Sequence, residues 1–448
     1  MLKFGTDGIR GNADADLTSE LVVALGRAAA TVFGVDSPFI VGRDTRRSGP
    51  RLLLDLAVGL HAQGAIVRDA GVVPTPGLAF LAGAGHCPAL MISASHNPWP
   101  DNGIKLFAPG GVKLDDPTER RVEEELRVLG LERPRPATDA ADPVPIEPEP
   151  STAYLAHLIG AIDGRRLDGM RVVLDCANGA ASELGPLVFE SLGADVTVLH
   201  ATPDGTNINE ACGSTDPTDL RAEVLAKGAH AGFAFDGDAD RMVAVDERGT
   251  IVDGDEIMVI AALDLHERGR LRNDAIAVTV MSNLGLRTAL GRSGIDVVET
   301  PVGDRQVFAA IEGHDRALGG EQSGHVIFRD LATTGDGILT GLLLLDRLCR
   351  GGAPLSAFAS TMTRIPQLLE NVAVGSRPDL ASAPELTAEI ATASARLGSR
   401  GRVLVRPSGT EPLIRIMVEA PTAEEAHEVL ERLHEATVRA FGSAAGSR

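Results

Sequence analysis

The segment Met91-Ile92-Ser93-Ala94-Ser95-His96-Asn97-Pro98 places two hydroxyls and an imidazole directly behind an apolar run, Ala89 to Ile92, that reads as a short buried strand. Asn97-Pro98 signals a turn, and Asp101-Asn102-Gly103 reverses the chain before Lys105. A potential nucleophile, Ser95, and an amine can therefore share one rim. A capped turn in which Ser93 and Ser95 only satisfy backbone groups fits the same residues.

Asp236-Gly237-Asp238-Ala239-Asp240-Arg241 sets three carboxylates at alternate positions after an apolar run, a donor set suited to a hard divalent cation such as Mg²⁺. With Glu247 the spacing also imitates an EF-hand loop. Arg241 stands where that loop needs glycine, and Phe233-Ala234-Phe235 and Met242 to Val245 read as strands, not helices. An aspartyl-nucleophile phosphatase, with Asp236 taking the phosphoryl group and Asp238 acting as acid, leaves Ser95 without a task. The bland competitor is an acidic solvated turn. Arg241 beside three acids speaks instead for an anion held next to a cation.

Gly319-Gly320-Glu321-Gln322-Ser323-Gly324-His325 gathers a carboxylate, an amide, a hydroxyl and an imidazole in one glycine-flanked loop, equipment for binding a polyhydroxylated ligand. Arg406-Pro407-Ser408-Gly409-Thr410-Glu411-Pro412, with Arg415 beyond it, offers backbone N–H groups, hydroxyls and guanidinium groups to a phosphate. Each loop taken singly has a plain counterpart, a polar turn or a Pro-bounded β-turn. Four such loops spread along the chain are poorly explained by coincidence.

The elements that must position them alternate. Leu21, Leu25, Ala28 and Val32 keep helical spacing behind Thr18 as N-cap, and strand Phe39 to Val41, helix Leu52 to His61, strand Ala65 to Val67 and a Pro-bounded helix at Leu78 to Leu81 lead to the Ser95 strand. Glu132 to Pro150, rich in Pro, Glu, Asp and Ala, reads as a linker or exposed loop. The pattern restarts with strands at Val172 to Leu174, Val196 to Val198 and Gly232 to Phe235. It restarts again near residue 252 with strands at Ile276 to Val280 and Val297-Val298 and a helix through Ile338 and Leu345. The last segment differs, with strands Val403 to Val405 and Leu413 to Val418 and a closing helix Ala423 to Phe441. The expected domains are 1–150, 151–250, 251–365 and 366–448, three similar α/β units and one dissimilar, without a residue-level repeat.

Composition narrows the function classes. Acidic residues outnumber basic ones, 62 to 42, and aromatics make up 3%, so neither a basic footprint nor a stacking platform for nucleic acid is present. Local cations must hold any anionic ligand. No window approaches about 18 uninterrupted apolar residues, so no membrane span is expected. The start MLKFGTDGIRG lacks the apolar core of a signal peptide. Cys87, Cys176, Cys212 and Cys349 include no C-x-x-C and suit a reducing compartment and no zinc site, hence a cytoplasmic protein. The sequence is compatible with a homodimer.

From Phe4-Gly5-Thr6-Asp7-Gly8-Ile9-Arg10-Gly11 through the four loops to Arg415, the chain resembles the α-D-phosphohexomutase family. The resemblance implies three topologically related, mixed-sheet α/β domains and a smaller C-terminal α+β domain around a central cleft. It implies a phosphorylated Ser95 that hands its phosphoryl group to a sugar phosphate, and Mg²⁺ on Asp236, Asp238, Asp240 and the Ser95 oxygen. Arg10 and Arg241 would add positive charge, and Lys105, desolvated among cations, would be the general base, with His325 a second candidate. Glu321 and Ser323 would bind ring hydroxyls, and Arg406, Ser408, Gly409 and Thr410, with Arg415, the non-reacting phosphate. Gln322 and the FGTDGIRG start are similar to the branch acting on hexosamine phosphates through a hexosamine 1,6-bisphosphate. The mannose and glucose phosphate branch tends to carry Met at that place. Gln306, where the family usually has Tyr, and Trp99-Pro100, in place of an aromatic-Tyr pair, depart from the pattern.

Overall fold

The computed structural model describes residues 8–131, 146–374, 379–407 and 412–442. The chain divides into two compact units, one of residues 1–281 and 294–361, the other of residues 282–293 and 362–448.

The first unit contains three sheets built on one plan. Strand Phe39–Arg43 runs parallel to Val67–Val72 on one side and to Ala89–Ile92 on the other, and Asp101–Ala108 then pairs antiparallel with Ala89–Ile92. Arg171–Asp175, Asp195–Leu199, Ala231–Phe235 and Met242–Asp246 repeat that order and those directions. Ala275–Thr279, Asp296–Thr300, Leu318–Gly320 and Val326–Phe328 repeat it again. The duplication that no residue repeat revealed is thus a duplication of topology. Central strands such as Ala89–Ile92 and Ala231–Phe235 are buried throughout, as expected for strands covered on both faces.

Helix Ser19–Phe33 starts where Thr18 accepts a hydrogen bond from the Leu21 amide, and it lays Val22, Leu25 and Ala28 into the first core. The stretch read as a linker needs correction. Ile146–Pro148 is a strand, parallel to Val67–Asp69, and Ile146 packs against the first core. Its single anchoring apolar side chain left no alternation to read; residues 132–145 of that stretch lie outside the described residues. Helix Asp116–Leu131 was hidden similarly, since Val122 and Leu126 are its two fully buried apolar side chains among many charges.

The second unit has an antiparallel sheet in the order Gln367–Ala373, Leu413–Glu419, Arg402–Pro407. Helices Pro384–Leu397 and Ala423–Phe441 share its core, with Leu386 and Leu433 against Ile414, Ile416 and Val418. Strand Gln367–Ala373 opens the last expected domain, and Glu370-Asn371 masks its apolar pattern.

Candidate active site

The three loops with chemical side chains in the first unit are one and the same connection. In each sheet the third parallel strand reverses into the antiparallel fourth through residues 93–100, 236–241 and 321–325. Such loops lie at the carboxyl end of the parallel strand, where open α/β sheets place ligands.

Ser95 is 1% exposed and holds φ at 52°, a left-handed conformation uncommon for a serine. Its hydroxyl donates to Asp236 Oδ2 at 2.5 Å and lies 3.3 Å from His96 Nδ1. The Ser95 amide donates to Ser93 Oγ at 2.9 Å. Ser93 therefore shapes the turn while Ser95 faces the acids, which separates the two hydroxyls that sequence left equivalent. Arg46 Nη2 donates to the carbonyls of Ser95 and Asn97 at 3.1 and 2.6 Å, and Asn209 Nδ2 donates to the same pair at 2.9 and 3.1 Å. Arg46 is itself buried and paired with Asp44. A Cβ on Gly237 would stand 2.6 Å from the Ser95 carbonyl oxygen, so glycine there lets the two loops touch.

Asp236, Asp238 and Asp240 are all buried, and each offers an oxygen within 4.8 Å of the others. Lys105 Nζ, 2% exposed, donates to Asp238 Oδ2 at 2.7 Å and Asp240 Oδ2 at 3.2 Å, and Thr75 Oγ1 donates to Asp238 Oδ2 at 2.5 Å. Lys105 is thus as desolvated as expected, but its ammonium is held by two carboxylates. Burial, and then the charges of Asp240 and Asp238, push the Asp236 carboxyl up to about 8. Burial works the same way on Asp240, yet Lys105, His325 and Arg241 hold it well below the usual carboxylate range. Among the described residues Asp238 Oδ1 has no hydrogen-bond donor, and Asp240 Oδ1 is met at 3.7 Å by His325 Nδ1 and 3.8 Å by Arg241 Nε. Three clustered buried carboxylates, two of them with an unsatisfied oxygen and a third, Asp236, with a raised pKa, are poorly stable alone, and a hard divalent cation fits them.

His325 is buried between Asp240 and Asp304, and its Nε2 accepts the Gly335 amide at 3.0 Å. Burial disfavours its imidazolium, but the hydrogen bond and charge of Asp240 raise its pKa overall. Lys113 pairs with Asp304 behind it. His96 is pushed down by burial, Arg241 and Arg10, and Arg241 Nη1 lies 3.3 Å from its Nδ1. The Arg241 amide donates to Asp236 Oδ1 at 3.1 Å. Arg10 pairs in register with Gly103 beside the Ser95 turn. Glu321 Oε1 accepts the Gly303 amide at 3.2 Å, the exposed Ser323 hydroxyl donates to Glu321 Oε2 at 3.3 Å, and the Gln322 carbonyl accepts the Gly254 amide at 3.1 Å.

In the second unit Arg406 and Arg415 are direct cross-strand partners. Burial and then Arg415 lower the Arg406 pKa. Like charges opposed on a sheet are destabilising unless an anion joins them. Ser408, Gly409 and Thr410 lie outside the described residues. Sequence reasoning missed Arg46, Asn209, Thr75, Lys113 and Asp304. The charged run Arg43-Asp44-Thr45-Arg46-Arg47 at a strand's carboxyl end was a signal for the first; nothing in residue type singled out Asn209.

Four models of the phosphoglucomutase/phosphomannomutase family match in chain order: α/β/α domain I over residues 1–130, domain II over 152–249, domain III over 253–365 and the C-terminal domain over 369–436. The chain belongs to this family, and its class is that of isomerases that transfer phosphoryl groups within a sugar phosphate. It is 49% identical over 449 residues to a phosphoglucosamine mutase of Salinispora tropica, covering 96% of this chain and 97% of that one. It is 51% identical over 424 residues to a phosphoglucosamine mutase of Symbiobacterium thermophilum, covering 93% and 94%. Among solved structures, a family protein from Burkholderia thailandensis superposes with a TM-score of 0.81 at 24% identity, covering 99% of this chain and 98% of that one. An Aspergillus fumigatus N-acetylphosphoglucosamine mutase, solved with GlcNAc-6P and magnesium, gives 0.69 at 20% identity, covering 98% of this chain and 96% of that one. Among the described residues no helix is long and apolar enough to cross a membrane.

Proposed function

We propose that this protein is a cytoplasmic phosphoglucosamine mutase, interconverting glucosamine 6-phosphate and glucosamine 1-phosphate. The observation that carries the chemistry is the buried Ser95 hydroxyl on Asp236, inside a carboxylate triad that also holds Lys105. The relatives' names support the amino sugar.

In this reading Ser95 works as a phosphoserine. Its Oγ–P bond breaks as a bond forms to a sugar hydroxyl oxygen, giving a hexosamine 1,6-bisphosphate. After the bisphosphate turns over, the phosphoryl group at its other end returns to Ser95 Oγ. Lys105, in its neutral amine form rather than as the ammonium paired with Asp238 and Asp240, is the proposed acceptor of the sugar hydroxyl proton, and His325, beside Asp240, is the second proton-handling group. Asp236, Asp238, Asp240 and the Ser95 oxygen would hold Mg²⁺, which supplies charge neutralisation for a loose phosphoryl transfer. Arg241 and Arg10 add fixed positive charge beside Ser95. Glu321, Gln322 and Ser323 would bind the sugar ring. Arg406 and Arg415, with Ser408, Gly409 and Thr410, would hold the phosphate that is not reacting.

A coupled assay comparing glucosamine, glucose and mannose 6-phosphates tests the reading. The highest kcat/KM is expected for glucosamine 6-phosphate; equal or better turnover of mannose 6-phosphate would move the chain to the other branch of the family.

A further inference from the structure

A second group of potential metal ligands lies outside the carboxylate triad, in the second sheet. Asp175 ends strand Arg171–Asp175, His200 follows the neighbouring parallel strand Asp195–Leu199, and Cys212 precedes the short turn Gly213–Thr215. A carboxylate oxygen, an imidazole nitrogen and the thiol sulfur all lie within 4.8 Å of one another. Ligands about 2.0–2.3 Å from a common centre lie within that limit of one another. Asp175 and Cys212 are fully buried, and the His200 side chain is 24% exposed.

The imidazole gives the stronger argument. Its Nε2 lies 3.3 Å from Asp219 Oδ2, a carboxylate outside the trio. A proton on Nε2 serves that contact and leaves the Nδ1 lone pair directed inward. Nδ1 then faces Asp175 Oδ1 at 3.1 Å, an oxygen that also accepts the Ala177 amide at 3.0 Å. Two electron-pair donors that close need a proton or a metal cation between them, and the Cys212 sulfur converging on the same point favours the metal. A carboxylate behind the outer nitrogen of a metal-bound histidine is the usual supporting arrangement. Sulfur, nitrogen and oxygen together exclude Mg²⁺ and select a borderline transition metal.

We propose that Asp175 Oδ, His200 Nδ1 and Cys212 Sγ bind a transition-metal ion of the zinc class, with water at the fourth position and Asp219 orienting the imidazole. The spacing of the cysteines gave no hint of this, because the ligands come from three separate connections. The site takes no part in phosphoryl transfer. It has a structural consequence, since Cys212 closes the segment that carries Asn209, whose amide holds the Ser95 carbonyl. The Gly213 amide also donates to Asp175 Oδ2 at 2.9 Å, so the metal would tie both ends of that turn to the sheet.

The test uses the full chain, stripped with chelator, returned to saturating Mg²⁺ and titrated with Co²⁺. A thiolate-to-cobalt charge-transfer band saturating at one equivalent is expected, and the oxygen-only triad cannot produce it. The band should vanish in Cys212→Ser and persist in Cys176→Ser, whose neighbouring thiol is outside the trio. Asp219→Asn, at an exposed position, should weaken Co²⁺ binding roughly 10- to 100-fold while leaving the band's shape unchanged. Absence of a thiolate band in the parent, or its retention in Cys212→Ser, overturns the site. In that case His200 is an imidazolium held between two carboxylates.

Discussion

Asn209 makes no contact with any group assigned to chemistry except through the backbone it holds, which makes its removal an informative perturbation. Its side-chain amide donates to the Ser95 and Asn97 carbonyls at 2.9 and 3.1 Å. In Asn209→Ala both bonds go, at about 0.5–1.5 kcal/mol each, and neither carbonyl is orphaned because Arg46 Nη2 still reaches both. The total, about 1–3 kcal/mol, opposes a turn that already carries the cost of a left-handed Ser95. Spread over the population of correctly aimed Ser95, that is a loss of roughly 5- to 160-fold in kcat. KM for glucosamine 6-phosphate should change little, since Asn209 bonds to backbone and not to the proposed ligand-binding side chains. Steady-state turnover with thermal unfolding of the same preparation provides the assay. A kcat within twofold of the parent in a normally folded variant, or an effect confined to KM, refutes the claim that this amide aims the nucleophile.

Three further outcomes follow from the same geometry. Ser95→Ala should abolish turnover even with bisphosphate supplied, and phosphopeptide analysis should place phosphate on Ser95 and none on Ser93; Ser93→Ala should keep measurable activity, since its hydroxyl serves the turn and Asp44 rather than the transferred group. Asp238→Asn should weaken Mg²⁺ binding measured by calorimetry and lower kcat by about 10²–10³, because an amide removes charge from the carboxylate that Lys105 and Thr75 hold; unchanged turnover in chelator would sink the cation assignment. Asp336 caps helix Gly337–Gly351 and accepts the Tyr154 hydroxyl, and burial raises its carboxyl to about 6. A raised folded-state pKa favours the protonated form, so this group's contribution is full below about pH 4 and is lost as pH rises through about 6, a change of about 3 kcal/mol. Unfolding of Asp336→Asn and the parent at pH 4 and pH 8 should therefore show the variant gaining relative stability at the higher pH; a constant difference contradicts the buried-acid account.

The loops were legible from sequence because their chemistry is local. Ser95, the three aspartates and the Glu321 to His325 segment sit within a few residues of strand ends, and strands such as Ala231–Phe235 announce themselves by continuous apolar character. What was not legible depends on distant chain segments meeting. Arg46 reaches Asn97 across 51 residues and Thr75 reaches Asp238 across 163, and neither residue type nor spacing encodes such contacts. The Lys105 expectation shows the same limit from the other side. Its desolvation was implied by the family resemblance, but the two carboxylates that compensate its charge come from another sheet.

The repeated hairpin explains why three separate sheets can make one site. In each, the reversal after the third strand projects a short loop from a rigid, fully buried strand, so precision comes from the sheet and chemical variety from the loop. The aspartate loop is the middle partner of the three. Gly237 packs on the Ser95 carbonyl, and a Cβ on Gly324, which holds φ at 89°, would stand 2.1 Å from the Met242 carbonyl just past Arg241. Both contacts are between backbones, and a side chain at either glycine would drive adjacent loops apart by more than a rotamer change could absorb. The distances among Ser95, the triad and His325 are therefore set by backbone packing between loops, which no substitution of a catalytic side chain alters and which a single methyl group at Gly237 or Gly324 would.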